Sequence, residues 1–140
     1  MQLNLLVNRF YKNILKNPKK FVYIPLVVYW IFLFVMTSLP TIGVPAFGVS
    51  DKFYHFGAYF VLAVLLGLTL FVRSIKNTFA SKYIIYSLII LNAYSVFDEV
   101  HQIFIEGRFF DWFDMLANFC GIIFALYIVN KFVAFNRKLN

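Results

Sequence analysis

Five of the chain's six acidic residues and one of its two histidines lie between Asp98 and Gly121, in the run D-E-V-H-Q-I-F-I-E-G-R-F-F-D-W-F-D-M-L-A-N-F-C-G. The sixth acid and the other histidine, Asp51 and His55, lie in a second short run, D-K-F-Y-H-F-G-A-Y, from Asp51 to Tyr59. Histidines beside carboxylates are suited to moving protons near neutral pH. Two acids held close together ionise unequally, which supplies an acid and a base from one residue type. Asp98, Glu99, His101, Asp114 and His55 are therefore the candidate catalytic residues. Arg108, Asp111, Asn118, Gln102, Asp51 and Lys52 are the candidate substrate-binding residues, with Arg108 best shaped for a two-pronged bond to a carboxylate or phosphate. No H-E-x-x-H or comparable spacing points to a metal, so no metal and no cofactor is assigned. The same residues also have plainer uses. Asp51 and Lys52 fit a helix cap and an interfacial anchor, and buried Asp and Asn serve as polar contacts between helices.

The elements that must carry these side chains are membrane helices. The chain has 140 residues, 62% hydrophobic, 21% aromatic and only 14% charged, a composition outside the range of soluble domains. Its apolar runs are long enough to cross a bilayer. The fold expected is all-α, a four-transmembrane-helix bundle preceded by a short amphipathic helix at the membrane interface. Residues 1–20 form the basic amphipathic segment, with Leu3, Leu6, Val7, Phe10 and Ile14 near helical spacing and Arg9, Lys12 and Lys16 between them. Residues 21–130 form the membrane domain, with spans near 21–39, 53–72, 83–105 and 111–130. Residues 131–140 are a basic tail. Asp51 or Ser50 caps the second span, and the breakers Gly43, Pro45 and Gly48 make 41–50 a loop.

The net charge of +7 does not indicate nucleic acid, because the basic residues flank apolar runs. Eleven of the thirteen lysines and arginines fall on one side of the bilayer, and only Lys52 and Arg108 on the other. The positive-inside rule then places both termini in the cytoplasm of a multi-pass cytoplasmic-membrane protein, with all six acids at the opposite ends of the helices. The lone Cys120 forms no intrachain disulfide.

Helical spacing sorts the polar residues into three stripes. Asp111, Asp114, Asn118 and Gly121 share a face of the fourth span, with Gly121 marking a close helix approach. Asp98 shares a face with His101 and Gln102 on the third. Asp51, His55 and Tyr59 share a face of the second. Asp98 lies roughly 22 Å along its helix from Tyr83, several ångströms inside a core of about 30 Å. A charged Asp at mid-membrane costs about 2.5–3.5 kcal/mol, less near the interface, so partners or protonation must offset it. The three stripes are expected to converge in one polar site at one leaflet.

These residues resemble the VanZ-like family. The likeness is carried by Ser38-Leu39-Pro40; by Asp51-Lys52, His55-Phe56 and Tyr59; by Asp98-Glu99, His101-Gln102 and Phe104; and by Arg108, Asp111, Asp114, Asn118 and Gly121. It covers roughly residues 31–129 and leaves the amphipathic start outside. The resemblance implies a four-helix integral membrane protein of bacteria, in a family associated with resistance to the glycopeptide teicoplanin, and it supplies no reaction. The partners it suggests are the bilayer and a lipid-linked anionic cell-envelope precursor. On that reading Arg108 and Lys52 hold the anion and one carboxylate is paired with a histidine as base. The alternatives are a non-enzymatic membrane scaffold and a proton or small-solute carrier. A carrier needs polar groups across the whole bilayer, and the cytoplasmic halves of the spans are nearly all apolar.

Overall fold

A computed structural model describes residues 2–40, 51–75 and 82–139. The expected loop at 41–50, with the Ser50 cap, and most of the connector after Arg73 lie outside them. The described residues form five helices: α1 (Gln2–Lys16), α2 (Lys19–Thr37), α3 (Asp51–Ser74), α4 (Tyr83–Gln102) and α5 (Trp112–Leu139). Helices α2 to α5 are each long and apolar enough to span a membrane. Ile24, Val28, Ile31, Phe32, Ile89 and Phe119 point outward. That much exposed apolar surface suits lipid rather than water.

Local chemistry explains the helix boundaries. The first turn of α2, Lys19–Tyr23, is π-wound, and the Ile24 N–H bonds the Lys19 carbonyl. Pro25 follows directly. Its ring would strike the carbonyl one turn back in a regular helix, and the wider winding makes room. Between α4 and α5 the chain turns at Gly107, whose φ of 79° lies in the left-handed region that glycine enters without strain. Asp111 stands just before α5, where its Oδ1 accepts the Phe113 N–H at 2.8 Å. That is an N-cap, and it starts the helix. The fourth span therefore begins one residue later than the spacing suggests, and it continues nine residues beyond Asn130.

Helix α3 is the centre of the bundle, packed on α2, α4 and most extensively on α5. Tyr59, Leu62, Ala63 and Leu66 of α3 meet Leu91 of α4 and Ile122, Ala125 and Leu126 of α5 in the main core. Small residues let α3 and α5 approach closely. A Cβ added at Gly121 would run into the Phe56 carbonyl oxygen, with the Phe60 amide nitrogen 3.2 Å away. This is the contact the Gly121 spacing leads one to expect.

Helix α1 docks on the bundle as well as presenting an apolar outer face. Tyr11 and Ile14 are buried with Val22, Phe71 and Val133, while Leu6 and Phe10 point outward. The expected single stripe of Leu6, Phe10 and Ile14 is thus divided between bundle and surroundings.

Candidate functional site

The first turns of α3 and α5 and the last turns of α4 lie at the same end of the bundle and bring the two polar runs together. Nearest the end, the Lys52 ammonium pairs with Asp111 Oδ2 and, at 2.6 Å, with Asp114 Oδ1. The Asp111 carboxyl is held below the usual carboxylate range, first by its hydrogen bond from Lys52 and then by that from the Phe113 N–H. Asp111 therefore starts α5 and ties α5 to α3 at once.

One turn deeper sits His55, nearly buried. Its Nε2 faces Asp114 Oδ2 at 3.6 Å and Asp51 Oδ2 at 3.9 Å. Its Nδ1 lies 3.1 Å from Asn118 Oδ1 and 3.7 Å from Glu99 Oε1. The Asn118 amide is itself held from the α4 side, its Nδ2 donating to Ser95 Oγ at 2.9 Å. Glu99 is fully buried. Its Oε2 accepts the Asp111 N–H at 3.4 Å, and its Oε1 has no hydrogen-bond partner. Below this level Tyr59 donates to Asp98 Oδ2 at 3.1 Å, and both residues are buried. Leu62, Leu91 and Ile122 then close the interior. Among the described residues the polar cluster stops there, and no continuous polar path runs on to the far end.

Two candidate residues sit elsewhere than their types suggest. Arg108 makes no ion pair among the described residues. Its Nε donates to the Leu39 carbonyl at 3.0 Å, Nη2 to the Met36 carbonyl at 3.0 Å and Nη1 to Gln102 Oε1 at 3.1 Å. The carbonyls at the end of a helix lack intrahelical partners and carry partial negative charge, so the end of α2 takes the guanidinium and Lys52 takes the carboxylates. Arg108 is thus held by backbone carbonyls and Gln102 rather than by a carboxylate, and Lys52 is likewise already engaged. His101 turns toward α2, its ring packed on Phe34 and Phe97 with centroids 5.2 and 6.1 Å away. Gln102 is buried and serves Arg108.

Sequence reasoning passed over Ser95. Its signal was its position: Leu91, Ser95, Asp98 and Gln102 step by four, three and four, and all four are buried. It also assigned no metal. Yet Asp51, His55 and Asp114 each offer one ligand atom, and these atoms lie within 4.8 Å of one another. Motif spacing could not reveal this set, because Asp114 comes from a different helix.

A family model described as VanZ/LLP1 matches residues 2–134 of the chain. The match takes in α1, which the motif resemblance left out. No curated protein and no solved structure matches.

Proposed function

Because the chain belongs to the VanZ/LLP1 family, we propose that this multi-pass membrane protein binds or acts on the polar head of a lipid-linked cell-envelope precursor at the extracytoplasmic rim of its helical bundle. The observation that carries the reading is the meeting of Lys52, His55, Glu99, Asp111, Asp114 and Asn118 at one end of the bundle. Ionisable groups inside a membrane bundle are costly and mark functional sites by default. The outward apolar faces of α2 and α5 offer a surface for the lipid chain, and His55 is the centre of the cluster. The charge count supports this rim outside the cytoplasm and both termini inside. That side is where a glycopeptide meets cell-wall precursors, in keeping with the resistance that the family resemblance implies.

The test is a binding screen in lipid nanodiscs. It compares a lipid-linked cell-wall precursor, its carrier lipid alone and inorganic phosphate, for the native protein, Asp114→Asn and His55→Gln. Binding of the intact precursor that both variants lose supports the reading. Equal binding by native protein and variants, at matched protein levels, rejects it.

A further inference from the structure

We propose that Asp51 Oδ2, His55 Nε2 and Asp114 Oδ2 hold a divalent first-row cation of the zinc or manganese kind. The argument begins at the far side of the imidazole. Asn118 presents its carbonyl oxygen to His55 Nδ1 at 3.1 Å, and its own NH2 is taken up by Ser95 at 2.9 Å. With the Asn118 amide in this orientation its oxygen only accepts, so the tautomer that fits is the one with the proton on Nδ1. In the neutral ring Nε2 then presents a lone pair. That lone pair looks at two carboxylate oxygens, 3.6 and 3.9 Å away. With the ring neutral, three acceptors converge, and a cation at their centre would satisfy all three, beside the Lys52 ammonium that already holds Asp114 Oδ1. A buried partner hydrogen bond that sets the tautomer of a histidine is also the usual support of a metal ligand.

Distances fit the same occupant. Ligand atoms bound to one ion at about 2.1 Å are at most about 4.2 Å apart, and both His55 separations lie inside that limit. One ligand atom from each of the three residues lies within 4.8 Å of the others, so the exposed Asp51 carboxylate has to turn slightly inward to close on one ion. Asp51 is 67% exposed and free to rotate inward, which also opens a path from water. Local charge points the same way. Asp51, Glu99, Asp111 and Asp114 surround the site, and Lys52 is the only ammonium that an ion pair brings to it among the described residues. Glu99, wholly buried, stands on the Nδ1 side of the ring, Oε1 at 3.7 Å with no hydrogen-bond partner of its own, and adds to the negative charge around the imidazole. One nitrogen and two carboxylates suit zinc or manganese better than the all-oxygen shells preferred by calcium and magnesium. Three protein ligands leave a coordination position open. That the open position takes an anionic oxygen of a lipid-linked precursor rests on the function proposed above; the metal site itself does not.

The full chain, purified in detergent and stripped with EDTA, is titrated calorimetrically with Zn2+, Mn2+, Mg2+ and Ca2+, with fold checked by circular dichroism. The expected result is one Zn2+ or Mn2+ per chain, bound more tightly than Mg2+ or Ca2+. Asp51→Asn, at an exposed position, weakens binding at least tenfold, and Asn118→Ala weakens it 10- to 100-fold. Glu106→Gln, on the turn after α4, leaves it unchanged. The Mn2+-loaded native protein shows a coupled imidazole nitrogen by electron spin-echo spectroscopy, a readout that needs no variant to fold. The proposal is overturned if the native chain takes up none of these ions, if the spin-echo signal lacks nitrogen, or if Asp51→Asn binds as the native protein does. Metal uptake without precursor binding rejects the function proposed above and leaves the site standing. Precursor binding that survives EDTA leaves that function standing and rejects coordination of the precursor at the open position.

Discussion

His55 of α3 and Asn118 of α5 meet through Nδ1 and Oδ1 at 3.1 Å, one turn below the 2.6 Å contact between Lys52 and Asp114. Two matched contacts in the same order mean that α3 and α5 run parallel and in register. Gly121 against Phe56 keeps that register one turn further on. The polar stripes of the two helices are therefore laid against each other, and α4, ending at the same rim, closes the third side with Glu99 and Ser95. The position of this contact makes His55 answer to three helices at once.

Cutting Asn118 back to alanine strands both His55 Nδ1 and Ser95 Oγ in a buried setting. Leaving buried polar groups unpaired costs about 1–3 kcal/mol, although interhelical hydrogen bonds in membranes average nearer 0.6 kcal/mol. Two stranded groups place the expected loss for Asn118→Ala at about 1–2 kcal/mol. Reversible unfolding in detergent, with a double-mutant cycle to His55→Ala, measures it. A coupling energy indistinguishable from zero would show that the two side chains do not act together.

Glycines on α3 and α5 separate close packing from helix propensity. Gly121→Ala drives a Cβ into the Phe56 backbone, which cannot swing aside, so α3 and α5 must part. Overpacking of this kind costs about 1–3 kcal/mol. Gly57→Ala meets nothing within 4 Å and gains helix propensity of about 0.5–1 kcal/mol. The two changes are expected to move thermal stability in opposite directions. A Gly121→Ala protein as stable as the native one would mean the helices are not in contact there.

Much of this is legible in the sequence. Long apolar runs mark the spans because a helix satisfies its own backbone within one segment in lipid, and the spacing of Asp114, Asn118 and Gly121 puts them on one face. What spacing within a helix does not carry is rotation between helices. The adjacent Asp98 and Glu99 are both buried yet serve different partners, Tyr59 and the His55 cluster. His101, one turn from Asp98, packs on aromatic rings of α2 and α4. The partners of Arg108 are hidden in the sequence for a related reason. Charge pairing is visible in a sequence, whereas the unpaired carbonyls at the end of α2 appear only once the helix end is located.

Asp111 supplies a pH dependence of known sign. Lys52 of α3 faces its carboxylate, and Asp114, His55 and Glu99 surround the pair from α5, α3 and α4. The folded Asp111 carboxyl is held below its ordinary value, so the unfolded chain binds the proton first as pH falls. The contribution of the pair is complete above the ordinary carboxylate range and disappears as pH drops through the lowered value. Asp111→Asn keeps an N-cap side chain and removes only the charge. In EDTA, the difference in Tm between native protein and Asp111→Asn is expected at pH 7 and should vanish under strong acid. A difference that persists in acid would trace the effect to something other than the Lys52 pair.

Arg108 is expected to resist conservative replacement. Its fork reaches the Met36 and Leu39 carbonyls and Gln102 together, three acceptors that a lysine ammonium cannot hold in that geometry. Arg108→Lys should lower stability by about 1 kcal/mol, a figure kept small by the exposure of the two carbonyl bonds. Faster amide exchange confined to the end of α2 identifies the cause. Unchanged exchange there would remove Arg108 from its role as the tie between α2 and the α4–α5 turn.

Topology can be tested with the chain's own chemistry. Cys120 is exposed on α5, and replacing it with serine yields a cysteine-free background, because it is the sole cysteine. Single cysteines are then placed at Glu106, on the turn beside the polar cluster, and at Lys12 and Lys138, in the basic end segments. A basic residue near an anionic leaflet is worth about 1 kcal/mol, and eleven such residues against two favour the orientation proposed above. A membrane-impermeant maleimide added to intact cells should label Glu106→Cys, and should label Lys12→Cys and Lys138→Cys only after permeabilisation. The reverse pattern would put the His55 cluster on the cytoplasmic side, out of reach of any extracytoplasmic precursor, while leaving the metal-binding geometry untouched.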